Sequence, residues 1–317
     1  MFSIVTEPFG NSRKISAYHK NGICLEILPD YGAALNALTV PTRDGKYINI
    51  IDGYHSDGEA IETGALYKGV FLFPFPNRLK NGSWNWSGSP FEFPINEPAR
   101  NNALHGLLYN RQFKIEETTA TSELAFVHLS YTPLVMDDCY PFDYRIDIEY
   151  IITEIEGLVV KTRVTNPGTG TMPFGLGWHP YFTTGSKVND LILSAPDLNS
   201  LEIDGQMIPT GRDLSYHLFD RPQNMGEVNL DTGFEIKTTD RYQIQIFDPE
   251  KKLKFTVWQD AGEEGYSYVQ IYTPPHRNSI AIEPMTCRAN ALQTQTGGIQ
   301  MLEAGNSQQF EWGISFR

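Results

Sequence analysis

The sequence predicts an all-β fold, built as one large antiparallel β domain. Three observations carry that expectation. Apolar and polar residues alternate with period two in segment after segment, and helical periodicity is almost absent. In addition, 27 Gly and 20 Pro accompany 16 Tyr and 18 Phe, a turn-rich and aromatic-rich mixture that suits strands and tight connections.

In chain order, Ile23–Leu28 is the first short strand candidate. Asp57–Leu66 is the one stretch where a helical turn or two fits, weakened by its glycines, and Asn81-Gly82 then marks a turn. Ala125–Tyr131 is a second short strand. Tyr144, Ile146, Ile148, Tyr150 and Ile152 alternate with Arg145, Asp147 and Glu149, the pattern of a half-buried strand. A turn at Glu156-Gly157 leads to Leu158, Val160, Thr162 and Val164, set apart by Lys161 and Arg163, so this pair reads as a hairpin. After the Asn166-Pro167-Gly168 turn come Tyr242–Phe247, Leu253–Trp258 and Tyr268–Tyr272, with Thr273-Pro274-Pro275 behind them. Phe310, Trp312, Ile314 and Phe316 form the last strand. Length alone, at roughly 150 residues per domain, suggests two units, but large β folds exceed that figure. No fixed repeat, low-complexity tract or composition break divides the chain, so residues 1–317 are expected as one domain.

Composition excludes several classes of function. With 25 Lys+Arg against 38 Asp+Glu the net charge is -13, and a chain this acidic repels phosphate backbones, so no nucleic acid partner is expected. No stretch approaches the ~18 uninterrupted apolar residues of a membrane span. The start Met1-Phe-Ser-Ile-Val-Thr-Glu-Pro lacks the basic residues and apolar run of a secretory signal, and the expected location is cytoplasmic. Cys24, Cys139 and Cys287 are far apart, with no CxxC pair to suggest a disulfide framework or zinc finger.

Four segments set polar residues among prolines and aromatics: Phe73-Pro-Phe-Pro-Asn-Arg78, Leu104-His-Gly-Leu107, Gly177-Trp-His-Pro-Tyr-Phe182 and Ile280-Ala-Ile-Glu-Pro-Met-Thr286. His179 and Glu283 each precede a proline, whose ring pushes its predecessor toward extended backbone. Both side chains therefore hang on stiff, strand-like chain, as an acid and a base need. Ile280 and Ile282 fall on one face of their strand and Ala281 and Glu283 on the other, where a small neighbour leaves room for a ligand. The plainer alternative for Glu283 is a solvent-facing carboxylate on an edge strand. For His179 and His105 it is a core imidazole bonded to a backbone carbonyl. Arg78, in an apolar and proline-rich run, needs a carboxylate or hydroxyl partner to offset its burial. A metal held by His105, His179 and Glu283 has no HxH, HExxH or acidic loop behind it, and no phosphate-binding glycine fingerprint or GxSxG elbow occurs. No metal and no cofactor are expected.

Asn77-Arg78 with Gly82 close behind, Leu104-His105-Gly106, His179-Pro180-Tyr181-Phe182, Ile208-Pro-Thr-Gly211 and Glu283-Pro284-Met285-Thr286 resemble, in this order, the aldose 1-epimerase (galactose mutarotase) family. The stretch from Tyr140-Pro141-Phe142 through the hairpin to His179 is similar too, and the resemblance runs from about Ile23 to Phe316. It implies a large antiparallel β-sandwich of the galactose mutarotase-like type with few short helices, binding a small-molecule sugar and acting as a monomer or homodimer. It also implies mutarotation, the interconversion of α and β anomers of a free hexose such as glucose or galactose, without a cofactor. By the same resemblance His179 is the general acid, Glu283 the general base, and Arg78 and His105 hold hydroxyls or polarise the ring. Asp231 matches a hydroxyl-binding aspartate, although the histidine that usually follows it is Thr232 here. On this reading a carboxylate beside His179 raises the imidazole pKa and Arg78 lowers that of Glu283, which widens a bell-shaped pH optimum.

Two rival readings stand beside this one. A hexose-6-phosphate 1-epimerase would want cations at the pocket rim, for which Arg100, Arg111, Arg277 and Arg288 are candidates. A non-catalytic sugar-binding or regulatory protein would keep the fold but need neither His179 nor Glu283.

Overall fold

The computed structural model describes residues 1–316, and its regular structure is almost entirely antiparallel strand. Phe2–Phe9, Ser12–His19, Cys24–Leu28, Ala34–Pro41 and Tyr47–Asn49 form a five-stranded sheet in chain order. A nine-stranded sheet contains, among others, Leu124–Tyr131, Arg145–Thr153, Gly157–Thr165, Ser307–Phe316, Leu253–Asp260 and Arg241–Asp248, side by side in that order. Thr153 faces Gly157 across the predicted hairpin. An eight-stranded sheet runs through Pro209–Tyr216, Leu198–Ile203, Asp231–Ile236, Tyr268–Tyr272, Ile280–Met285, Gly177–Trp178 and Phe71–Leu72, with Tyr181–Phe182 also paired to Ile280–Met285. The predicted helical stretch is a short helix, Asp57–Glu62, followed by a 3₁₀ turn, Gly64–Leu66. Its start is capped by Ser56, whose hydroxyl accepts the Glu59 N–H. A second short helix, Ala291–Thr294, has no signal in the sequence pattern.

The half-exposed strands obey the alternation that predicts them. Arg145–Thr153 alternates strictly between partly exposed and buried positions, and its buried set enters the core. Aromatic rings join the two large sheets: Trp178 lies 5.9 Å from Tyr150 and 5.7 Å from Trp312, and Phe182 lies 5.5 Å from Phe255. Each such fully buried side chain contributes about 1.5–3 kcal/mol of transfer free energy. Their direction has a second consequence. Because neighbours on a strand point to opposite faces, a Trp178 committed to the core sends His179 to the other face. No helix among the described residues is long and apolar enough to cross a membrane.

Candidate active site

The sheet register sets out the site. Gly177 stands opposite Met285 and Tyr181 opposite Ala281, so counting inward from both pairs puts His179 opposite Glu283. On the other side of the same strand Gln270 is paired with Glu283, and Gly233 with Gln270. One row across four strands therefore reads Gly233, Gln270, Glu283, His179. Two residues along, on the same face, the next row reads Asp231, Tyr272, Ala281, Tyr181. Ile280 and Ile282 point the opposite way into the core, as their alternation predicts. Ala281, between two tyrosines, leaves the floor of a cleft open.

Glu283 is not the surface carboxylate of an edge strand. It is 2% exposed, in a strand with neighbours on both sides. Pro180 and Pro284 flank the pair and carry no N–H, so the ladder is interrupted where the two side chains meet. His179 Nε2 and Glu283 Oε1 are 3.4 Å apart, too far for a strong hydrogen bond. Glu283 Oε2 has no partner, and His179 Nδ1 has none beyond its own backbone.

Two loops close the cleft from the side. Asn77 and His105 both adopt left-handed backbone, φ 59° and 62°, and hold each other. The His105 N–H donates to the Asn77 carbonyl at 2.9 Å, and the Asn77 N–H donates to His105 Nδ1 at 3.2 Å. Gly106, at φ 68°, presses so closely on Phe73 that a Cβ there would meet its carbonyl oxygen at 2.2 Å. Since His105 Nδ1 accepts a hydrogen bond, the neutral ring carries its proton on Nε2. Tyr67 packs on this imidazole, with ring centroids 4.5 Å apart, and His179 lies edge-on at 5.1 Å. A chain of amides ties loop to sheet: Asn77 Nδ2 donates to Gln270 Oε1 at 3.2 Å, and Gln270 Nε2 to Asp231 Oδ1 at 2.7 Å.

Asn77, Arg78, His105, His179, Asp231, Gln270 and Glu283 all line one cavity of about 350 Å³, with Tyr67, Tyr181 and Tyr272 in its walls. All five residues singled out in the sequence thus converge. Gln270, Asn77 and the three tyrosines were not singled out. Gln270 had a signal, as the one amide in the otherwise apolar Tyr268–Tyr272, and Asn77 and Tyr181 lay inside quoted motifs without being given a role; Tyr67 and Tyr272 had none. Of the candidate arginines, only Arg100 lines the cavity. Arg111 is 3.7 Å from Asp137, Arg277 is bound by Asn189, Asn229 and backbone carbonyls, and Arg288 packs on Gly297.

Electrostatics overturn one expectation. Burial, not the neighbouring charge, governs both central groups. It lowers the His179 pKa to about 4. It raises that of Glu283 well above the usual carboxylate range, aided by the Asp231 charge and only partly opposed by Arg78. His105 is held well below the ordinary imidazole value by burial first, then by His179 and Arg78. Among the described residues no group of three or more His, Cys, Asp and Glu is arranged to hold a metal ion.

Fold and cleft together define a galactose mutarotase-like β-sandwich. Two solved structures share it over their whole length: a galactose mutarotase-like protein from Clostridium acetobutylicum, with TM-score 0.88 at 20% identity covering 100% of this chain and 98% of that one, and galactose 1-epimerase from Lactobacillus acidophilus NCFM, with 0.79 at 17% covering 100% and 99%. The model of the aldose 1-epimerase family matches residues 13–315, and the chain belongs to that family. Among its relatives, the uncharacterized protein YihR of Escherichia coli (strain K12) is 30% identical over 264 residues, 80% of each chain. The probable aldose 1-epimerase of Arthroderma benhamiae is 27% identical over 222 residues, 63% of this chain and 49% of that one.

Proposed function

We propose that the protein is a cofactor-independent aldose 1-epimerase that interconverts the α and β anomers of a free hexose such as glucose or galactose. The observation that carries this is the His179–Glu283 pair, 3.4 Å apart in one cavity, with Glu283 Oε2 left without a hydrogen-bond partner. Opening a hemiacetal removes a proton from the anomeric hydroxyl and delivers one to the ring oxygen. Both oxygens sit on one carbon, so base and acid must stand side by side. Glu283 takes the hydroxyl proton and His179 protonates the ring oxygen; after rotation about the neighbouring carbon–carbon bond the roles reverse, and the ring closes on its other face. Each group contributes roughly 10²–10⁴-fold. His105, neutral with its proton on Nε2, donates to a sugar oxygen, while Arg78 and the Asp231–Gln270 pair hold hydroxyls.

The pair needs one proton between its two members. An imidazolium with a carboxylate and an imidazole with a carboxylic acid hold the same number. Burial disfavours both charges, so the neutral form is favoured, and a sugar bridging the two groups lets the proton cross. The assignment extends to a cytoplasmic protein, monomer or homodimer.

A phosphate-bearing substrate finds less here. Arg100 alone of the four rim candidates faces the cavity, and its Nη1 is already bound to Glu97. The test is polarimetry on fresh α-glucose, α-galactose and α-glucose 6-phosphate in parallel. Acceleration over the buffer rate is expected for a free hexose and weakest for the phosphate. No acceleration with any free sugar would remove the assignment, and a preference for the phosphate would replace it with the hexose-phosphate enzyme.

A further inference from the structure

Arg78 reaches the cavity from a short strand, Arg78–Lys80, and a guanidinium on a flexible stem does not hold its own direction. Glu97 holds it. Nε donates to Oε2 at 3.0 Å and Nη2 to Oε1 at 3.0 Å, a two-pronged bond between side chains only 11% and 13% exposed. Nη1 donates to Asn77 Oδ1 at 3.3 Å. Of the five guanidinium N–H donors, this leaves one on each terminal nitrogen for the cavity that Arg78 lines. Glu97 itself is absent from the cavity wall. Its carboxylate also binds Arg100 Nη1 and Asn102 Nδ2, each at 2.9 Å, and Asn102 Nδ2 continues to the Gln206 carbonyl at 2.9 Å. Burial pushes the Glu97 pKa up, but the bonds from Arg78 and Asn102, the Arg78 charge and the Arg100 bond outweigh it, so Glu97 stays ionised.

We infer that Glu97 is a positioning residue for the sugar site: it aims the free edge of Arg78 into the cavity and offsets part of the charge that Arg78 imposes on Glu283. The inference rests on the mutarotase reading above. Geometry and charge give separable consequences. Without the two-pronged bond, Arg78 loses its direction and sugar binding weakens. Without the negative charge, an uncompensated Arg78 makes it harder to add protons to the buried pair. The charged and titratable groups that share the cavity with Glu283 are His179, Asp231, Tyr181 and Tyr272 from the sheet, Arg78 from its short strand, and Tyr67, Arg100 and His105 from the loops. Of the two permanent cations, Arg78 is the one whose charge acts on Glu283, while Arg100 is bound to Glu97.

The experiment compares wild type, Glu97→Gln, Glu97→Asp, Arg78→Gln and the Arg78→Gln/Glu97→Gln double variant by polarimetry across pH, with melting temperatures measured alongside. Glu97→Gln should raise KM roughly tenfold, with a smaller change in kcat. It should also move both pH limbs to lower values. Glu97→Asp, charged but a methylene shorter, should restore the limbs and not the KM. In the Arg78→Gln background, Glu97→Gln should change neither further, because the effect passes through Arg78. Wild-type KM and limbs in a folded Glu97→Gln variant, or the same shifts without Arg78, would overturn the inference. A wild type that mutarotates no sugar overturns the mutarotase reading instead. Calorimetric titration of galactose onto wild type and Glu97→Gln then decides the role of Glu97, with equal affinities counting against it.

Discussion

At the scale of single residues, the site is arranged against stability. Glu283 is buried without a close partner for one oxygen, and its raised pKa means that folding disfavours its ionised form. An unfolded carboxyl ionises near ~4.3. Wild-type stability is therefore least affected below that value and falls as pH rises toward the folded pKa. Glu283→Gln, neutral at every pH, should lower turnover by at least ~10²-fold while melting higher than wild type. Its advantage should grow from about pH 4.3 upward, at about 1–2 °C per kcal/mol for a chain of 317 residues. Thermal melts from pH 4 to 8 check this; an unchanged activity would remove Glu283 as the base. His179 carries the opposite sign. Its pKa falls to about 4, so its contribution to stability is complete above ~6.5 and lost as pH falls toward 4.

The same pair dictates a pH profile. On the proposed mechanism activity requires one shared proton: the acid limb marks addition of a second, near the low His179 value, and the alkaline limb marks loss of the first. In His179→Asn the residual activity needs only ionised Glu283. Its alkaline limb should vanish and its acid limb should move to higher pH, where the isolated carboxyl titrates. A persistent alkaline limb in that variant would pass the acid role to His105.

Elements were legible in proportion to how unequal their two faces are. Arg145–Thr153, with one wet and one dry face, declares its period in the sequence. Ile280–Met285 is buried at every position, and Pro209–Tyr216 is largely exposed, so alternation marks neither clearly. The loop that presents His105 depends on backbone geometry more than on composition. Consecutive left-handed residues, His105 and Gly106, turn the chain, and the absence of a Cβ at Gly106 lets Phe73 approach. Gly106→Ala adds unfavourable φ and a clash with backbone at 2.2 Å, so about 2 kcal/mol or more of stability should be lost. Urea unfolding should show a lower midpoint, with mutarotation reduced in the folded fraction. An unchanged midpoint would mean that the loop tolerates a different path.

For the whole molecule, one continuous apolar core takes residues from the five-, eight- and nine-stranded sheets, from Phe2 to Phe316. A core shared this widely should melt as a unit. The expected calorimetric trace is a single transition, abolished as a unit by truncating Trp312, which is fully buried against Trp178. Two resolved transitions would instead divide the chain into separately folding parts.

By itself, the sequence determined the all-β class, the central hairpin, the helical turn near Asp57 and the five side chains that meet in the cavity. The class, the hairpin and the helical turn follow from local physics. Asp231, and the roles of all five side chains, came only from the resemblance to the aldose 1-epimerase family. The prolines behind His179 and Glu283 drew attention to those residues, and the buried setting of Arg78 called for a partner. Which partner, the sequence could not say. Glu97 lies 19 positions from Arg78, and only the pairing of Arg78–Lys80 with Asn102–Leu104 brings that loop to it. Tertiary structure alone also decided the row of Gly233, Gln270, Glu283 and His179, since register is set by packing the opposite face into the core. The direction of the pKa shifts was decided there too. Neighbouring charges can be read from a motif, whereas desolvation depends on everything that closes over the site, and in this cleft desolvation is the larger effect.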